Sequence, residues 1–264
     1  MDLIKNGYFY NSIEIRIRFT VCQMKVKKSI TIKNIFCIKE FLEKLNFLNK
    51  KIKITNRSFF LFFCSFLMFS CTIKMEDINF IEDYNPLSEN GNVNVLIEIP
   101  AGSNEKWEVD KKHGKLRLET KKDGSYRKVD YLPYPANYGM IPRTLLPKSK
   151  GGDGDPLDVI VLGELISRGT VLECKLIGVM KLLDRGEQDD KLIAVSAHSI
   201  FYRVNNLEEL ENTYSGITDI LKIWFENYKG KGKMKFLGYE DKKVSQSILL
   251  NSIEAYRSLN LKNN

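Results

Sequence analysis

From Asn92 onward, short apolar runs separated by polar turns predict strands first and helices last. NVNVLIEI (92–99) is an almost continuous apolar run that stops at Pro100. KWEVD (106–110) and KLRLET (115–120) alternate with period two, and the four residues between them have the length of a hairpin connection. DVIVL (158–162), TVLECKLIGVMKLL (170–183) and KLIAVS (191–196) follow as further strands. Helical spacing comes late: Ile217, Ile220, Leu221, Trp224 and Tyr228 fall on one apolar stripe, and a second helix is expected over 241–259. Strands followed by helices, without β-α alternation, predict an α+β domain with a closed or strongly curled antiparallel sheet.

Before Asn92 the pattern is different. Residues 58–73 carry no charge and are flanked by Arg57 and Lys74, and these sixteen residues fall short of the roughly 17 to 25 that span a bilayer as a helix. Basic residues, an apolar run and then Met68-Phe69-Ser70-Cys71 resemble a bacterial lipoprotein export signal, in which Cys71 would be lipidated. Phe69 is bulky for its place in such a signal, and 57 residues precede the run. An uncleaved anchor and a wrongly started leader are the alternative readings. The organisation expected is a basic leader with a signal- or anchor-like segment (1–74), an acidic, polar linker (75–91) and a globular domain (92–264).

Charge supports that division. The chain has 264 residues and a net charge of +8, but residues 1–75 hold 14 Lys/Arg against 4 Asp/Glu, leaving the other 189 residues with 27 basic and 29 acidic groups. The surplus that would suggest a nucleic-acid partner belongs to the leader, and the body lacks a basic stripe interleaved with stacking aromatics. Five cysteines without a C-x-x-C pair, four of them at 22, 37, 64 and 71, exclude a disulfide scaffold and a thiolate zinc site. Cys174 falls mid-strand as a core residue, and His113 and His198 fall at a turn and a strand end.

Candidate chemistry is concentrated in three segments. Asp153-Gly-Asp155-Pro-Leu-Asp158 puts three carboxylates within six residues, which a chain tolerates most readily where a hard cation neutralises them; a solvated Asp/Gly/Pro turn is the bland alternative. An EF-hand is excluded because Asp158 stands where glycine is required and a strand follows. Asp184-Arg-Gly-Glu187-Gln-Asp189-Asp190-Lys191 joins two strands and, taken alone, reads as a polar hairpin loop. Two Asp-rich turns on one face of a small barrel would suit several divalent ions and phosphoryl transfer. Tyr131-Leu-Pro-Tyr134-Pro-Ala-Asn-Tyr138-Gly is too rich in Tyr and Pro for an ordinary loop, although aromatic packing alone would account for Tyr131.

Taken in order, these motifs resemble the soluble family I inorganic pyrophosphatases over roughly 92–259. The likeness rests on Glu98-Ile-Pro, Lys106-Trp-Glu108, YPANYG, DGDPLD, the spacing of Asp184, Asp189 and Lys191, and Tyr228-Lys229. It implies an OB-like closed antiparallel β-barrel with C-terminal helices packed outside, and Mg²⁺-dependent hydrolysis of diphosphate to two phosphates by metal-activated water. It also implies several Mg²⁺ ions held by Asp153, Asp158, Asp184, Asp189 and Glu98, with Asp155 orienting and deprotonating the nucleophile. Lys106, Lys191, Tyr134, Tyr138, Tyr228 and Lys229 are implied around the phosphates, with Glu108 supporting them.

The family's phosphate-binding Arg falls on Thr120 by ungapped counting from Glu108. Counting back from Tyr134 makes Arg127 the candidate, with 121–130 as an insertion and Lys121, Lys122 and Lys128 as solvated charges. The charge distribution implies no nucleic acid, and the likeness further implies diphosphate as partner and a homo-oligomeric assembly. It implies a cytoplasmic location, with membrane contact only through the N-terminal segment if that is retained or lipidated at Cys71.

Overall fold

Strand β1 (Val93–Ile99) is buried along almost its whole length, which is why its sequence lacks alternation. The computed structural model describes residues 78–147, 152 and 154–263. Strands β2 (Trp107–Asp110), β3 (Lys115–Leu118), β4 (Asn137–Met140), β5 (Asp158–Leu162), β6 (Val171–Asp184), β7 (Glu187–Gln188) and β8 (Lys191–Ser196) follow. Then come a 3-10 turn (Ile200–Arg203), helix α1 (Leu207–Thr213), α2 (Ile217–Asn227), β9 (Met234–Glu240) and α3 (Lys242–Asn263). The class is α+β.

Among the described residues seven strands form one sheet in the order β1-β4-β5-β8-β6-β7, with β9 also on β6 and β1 also paired with β6. The 14-residue β6 can serve β1, β7, β8 and β9 because it is long and carries register shifts near Gly178 and Lys181. A Cβ at Gly178 would lie 2.5 Å from Leu207 Cδ1 and 2.9 Å from the Glu240 carbonyl. The expectation of a purely antiparallel sheet needs correction, since β5 and β8 are parallel, with Val159 opposite Leu192 and Leu162 opposite Val195. The chain runs back along β6 between them, so β8 is returned to the direction of β5.

Along β5 and β8 alternate residues enter different cores. Ile160, Leu162, Ile193 and Val195 pack with Leu221, Trp224 and Phe225 of α2, while Val159, Val161, Leu192 and Ala194 pack with Leu249 and Ile253 of α3. Burial on both faces makes these strands read as continuous apolar runs. Gly139 in β4 is required by close approach, because a Cβ there would lie 1.7 Å from the Leu96 carbonyl oxygen of β1.

The expected hairpin is present: β2 and β3 pair from Trp107↔Leu118 to Asp110↔Lys115 as a separate two-stranded sheet. The inserted segment extends it, since Thr120 bridges Tyr126 and Glu105 bridges Lys128. Helix α2 forms where expected, but its inward face is Leu221, Trp224 and Phe225, and Ile220 is 57% exposed. Helix α1 escaped the sequence reading because it has only seven residues. It is held by a reciprocal cap in which Asn206 Oδ1 accepts from Glu209 N at 2.7 Å and Glu209 Oε2 accepts from Asn205 N at 2.8 Å.

The segment expected to be a linker is packed over its described part, 78–91. Phe80 is 2% exposed in a cluster with Leu96, Val109 and Met140, and Leu87 bridges Val93. Its few hydrophobic residues are irregularly spaced, so neither strand nor helix periodicity announced them. Among the described residues no helix is long and apolar enough to cross a membrane. The apolar run 58–73 and Cys71 lie outside the described residues. Cys174 is buried, His198 is exposed, and His113 Nδ1 lies 2.6 Å from Asp110 Oδ2 within the hairpin turn.

Candidate active site

Strand ends bring the charged residues together. Glu98 lies one residue from the end of β1, Asp158 opens β5, Asp184 closes β6 and Lys191 opens β8. The turn through β7 places Asp189 beside β6, its N–H donating to the Leu182 carbonyl at 2.9 Å. Lys191 is 2% exposed, and its Nζ is 2.5 Å from both Asp158 Oδ2 and Asp189 Oδ1. Lys229, just beyond α2, reaches Asp184 Oδ2 at 2.8 Å and Asp189 Oδ2 at 3.7 Å. The result is a continuous alternation of charge: Asp158, Lys191, Asp189, Lys229, Asp184.

An aromatic wall stands against this row. Tyr134 and Tyr138 have ring centroids 5.4 Å apart, Tyr134 is 4.5 Å from Trp224, and Trp224 stacks on Tyr228 at 4.5 Å with an interplanar angle of 13°. Trp224 is fixed by donation from Nε1 to the Leu132 carbonyl at 2.8 Å. Lys106 and Lys191 place their Nζ atoms 5.3 and 5.9 Å from the Tyr138 ring centroid.

The electrostatics follow from this packing. Burial pushes the Glu98 carboxyl up to about 8, against the pull of Lys106 and donation from Val109 N, which reaches its Oε1 at 2.9 Å. Burial opposes ionisation of Asp158 as well, but Lys191 and Lys106 outweigh it and hold the carboxyl below its ordinary range. Burial also works against the charges on Lys106 and Lys191. It is outweighed by Tyr134, Glu98 and Asp158 around Lys106 and by Asp158 and Asp189 around Lys191, so both ammonium groups are raised. Burial raises the Tyr134 and Tyr228 hydroxyls to about 12, and Tyr138 well above its usual value, so all three remain protonated donors at neutral pH.

The remaining expected site residues lie on the hairpin and the DGDPLD loop. Glu108 on β2 is raised by desolvation and by Glu119, against Lys106, Arg127 and Lys111. Arg127 lies in the strand-like arm beside Lys106, whose N–H donates to the Arg127 carbonyl at 3.0 Å. Its Nη1 contacts both Glu119 oxygens, at 2.6 and 2.8 Å. Thr120, the position reached by ungapped counting, bridges Tyr126 in the same arm. Asp155 is ion-paired with Lys111 of the hairpin turn. Asp153 lies outside the described residues.

Sequence reasoning missed Glu119, Lys111 and Arg168, all ordinary surface charges by pattern, which contact Arg127, Asp155 and the Glu98 carbonyl. Trp224 appeared only as part of an apolar stripe.

The donor set fits a hard cation. Among the described residues Asp184 Oδ1 and Asp189 Oδ2 are buried acceptors without a hydrogen-bond partner, and carboxylate oxygens are the ligands that Mg²⁺ prefers. Among the described residues no group of three His, Cys, Asp or Glu is drawn together closely enough to hold an ion, the carboxylates being engaged by lysines.

Alternating lysines and carboxylates under a wall of protonated tyrosines, carried on the strand ends of an α+β sheet, define an enzyme whose site suits a small, multiply charged anion. The family model described as inorganic pyrophosphatase matches residues 95–257. The chain belongs to the inorganic pyrophosphatase family.

Among its relatives, the inorganic pyrophosphatase of Campylobacter jejuni is 35% identical over 169 residues, covering 62% of this chain and 92% of that protein. The structure of the Helicobacter pylori inorganic pyrophosphatase is 32% identical with a TM-score of 0.57, covering 67% of this chain and 99% of that one. A Trypanosoma cruzi vacuolar soluble pyrophosphatase, truncated of its N-terminal domain and in complex with PPi, is 25% identical with a TM-score of 0.61, covering 70% of this chain and 78% of that one.

Proposed function

We propose that this protein hydrolyses inorganic diphosphate to two phosphates with Mg²⁺. The observation that carries the reading is the alternating row from Asp158 to Asp184, with two buried carboxylate oxygens left without donors. Asp153, Asp158, Asp184, Asp189 and Glu98 would hold the Mg²⁺ ions, which when bound neutralise charge on the phosphoryl oxygens and acidify water.

Lys106, Lys191, Lys229 and Arg127 bind the phosphoryl oxygens. Tyr134, Tyr138 and Tyr228 add neutral donors that follow the charge as it moves to the leaving group. Asp155 orients the attacking water and takes its proton. The water oxygen bonds to phosphorus, the bridging P–O bond breaks, and the departing phosphate leaves with the electron pair. Glu108 supports the lysine and arginine beside it.

The same reading extends to architecture and setting. The pairing path that leaves β1 through β4, β5, β8 and β6 and returns to β1 supports an OB-like closed barrel with the helices outside it. The family likeness supports a homo-oligomer acting in the cytoplasm, and the near-neutral body supports a small-anion substrate rather than a nucleic acid.

The test is phosphate release from diphosphate by the full chain, with Mg²⁺ and then with EDTA. Release that requires Mg²⁺ and falls at least about 100-fold in Asp155→Asn is expected. No Mg²⁺-dependent release, or unchanged release in Asp155→Asn, would sink the reading.

A further inference from the structure

The hairpin that carries Lys106 and Glu108 is a separate two-stranded sheet, whereas Asp158, Asp184, Asp189 and Lys191 belong to the seven-stranded sheet and its turns. Among the described residues no strand pairing joins the two, and the backbone ties lie at the ends of the hairpin, from Gly102 N to the Tyr134 carbonyl at 2.9 Å and from Phe80 N to the Gly114 carbonyl at 2.8 Å, so side chains hold its middle. Val109 and Leu116 hold one face of the hairpin through apolar contact, and Glu98 Oε1 accepts from Val109 N at 2.9 Å. At the end nearest Lys106 another tie is present.

Arg168 lies in the turn before β6, which is docked on β1 by donation from Gly169 N to the Ile97 carbonyl at 2.8 Å and from Ile97 N to the Thr170 carbonyl at 2.9 Å. From this fixed base Arg168 Nε donates to the Glu98 carbonyl at 3.0 Å. Its guanidinium carbon lies 4.2 Å from the Trp107 ring centroid, and Nη2 reaches Glu105 Oε2 at 3.4 Å. Trp107 Nε1 donates to the same Glu105 oxygen at 3.0 Å, which closes the cluster. Successive side chains on a strand point to opposite faces, so holding the Trp107 ring on one face sets where Lys106 and Glu108 stand on the other.

We propose that Arg168 is a positioning residue that holds the Lys106–Glu108 hairpin against the carboxylate-bearing sheet through its stack on Trp107. This rests on the diphosphate reading above. An arginine suits the role because its planar fork can stack on indole and donate in plane at once, which an ammonium cannot do. The side chain is 25% exposed and belongs to none of the apolar clusters.

The experiment compares full-length wild type, Arg168→Ala, Arg168→Lys, Trp107→Leu and the Arg168→Ala/Trp107→Leu pair in Mg²⁺-dependent phosphate release, alongside their thermal melting. Arg168→Ala is expected to lower kcat/KM about 10- to 100-fold, mainly through a higher KM for diphosphate, because the displaced hairpin and its arm carry two of the phosphate-binding groups, Lys106 and Arg127. Trp107→Leu should give a similar loss, and the double variant should be little worse than either single, as expected of two groups acting through one contact. Arg168→Lys should recover little of the affinity; it also keeps the test open if the alanine variant does not fold.

Wild-type kcat/KM in both Arg168 variants, or losses that multiply in the double variant, would overturn the positioning role while leaving the enzyme reading intact. A wild-type chain that releases no phosphate overturns the diphosphate reading and takes this role with it.

Discussion

Lys229, one residue past Tyr228 at the end of α2, places its Nζ 2.8 Å from Asp184 Oδ2 at the end of β6. A helix end and a strand end 45 residues apart in sequence are thereby fixed to each other within the charged row. The other Asp184 oxygen is buried and has no donor among the described residues. Asp184→Asn should raise the Mg²⁺ concentration needed for half-maximal phosphate release about 10-fold or more. A metal titration of activity reads this directly, and an unchanged Mg²⁺ dependence would remove Asp184 from the ion-holding set.

Lys191 is the buried cation between Asp158 and Asp189. Substituting Lys191→Met strands two partly buried carboxylates, which should cost about 3 kcal/mol in a chelated sample. Mg²⁺ should restore much of that loss by taking over the neutralisation, while turnover stays about 10²- to 10³-fold down for want of a phosphate donor. Urea melts with EDTA and with Mg²⁺ separate the two effects. Equal destabilisation in both would argue that Asp158 and Asp189 do not meet the ion.

For the arginine the choice is between counting schemes. Arg127 stands beside Lys106, with Nη1 engaged by Glu119, whereas Lys122 is exposed on the arm. Arg127→Ala should reduce kcat/KM about 100-fold and Lys122→Ala by less than about 2-fold, since a fork matches phosphate geometry and a solvated ammonium touches nothing. Matching losses in steady-state kinetics would withdraw Arg127 from the site.

Helix α2 carries Trp224 and delivers Tyr228, and Glu211 holds its first turn by accepting from Gly216 N at 2.9 Å and Thr218 N at 2.8 Å. Burial alone would raise this carboxyl, but donation from Thr218 and Gly216 prevails and holds it below the ordinary range. A depressed pKa means that the stabilisation is present above the unfolded carboxyl pKa and is lost as pH falls through the folded one. Glu211→Gln should therefore cost about 0.5–2 kcal/mol in urea melts at pH 7 and nearly nothing once both states are protonated. A cost that persists at pH 2–3 would show that the charge is not what holds the turn.

Gly139 in the YPANYG segment has no open space above it. Gly139→Ala should destabilise by about 3 kcal/mol or more, because the clash is with the Leu96 backbone rather than a movable side chain. A melting temperature near that of wild type would show that β1 and β4 can separate without loss.

Elements with one consistent periodicity were legible from sequence. The runs that became β1, β5, β6 and β8 and the hairpin β2–β3 announced themselves by apolar continuity or alternation. Strand β4 did not, because it is the four residues NYGM inside a Tyr- and Pro-rich stretch, and β9 alternates weakly around exposed Leu237. Residues 78–91 were read by composition, which is blind to a single deeply buried Phe80.

Lys106, Lys191, Tyr134, Tyr138, Asp158, Asp184 and Asp189, which the structure brings together, were nameable as a group through the family resemblance that their ordered motifs carry. Glu119, Lys111 and Arg168 were not, since a charge that acts by touching another charge leaves no mark on spacing. The parallel β5–β8 pair was equally hidden, because it depends on how many times the chain turns back between them.

Strand β6 has a consequence for how the protein is made. Val93 on β1 pairs with Cys174 on β6, about 80 residues further along, and Asp184 at the end of β6 pairs with Met234 of β9. During synthesis the N-terminal strand emerges long before its partner, and the charged row acquires Lys229 only when α2 has followed. Asp184 therefore meets its lysine only after α2 and the two residues beyond it have been added, and no product that ends before Lys229 contains the whole charged row.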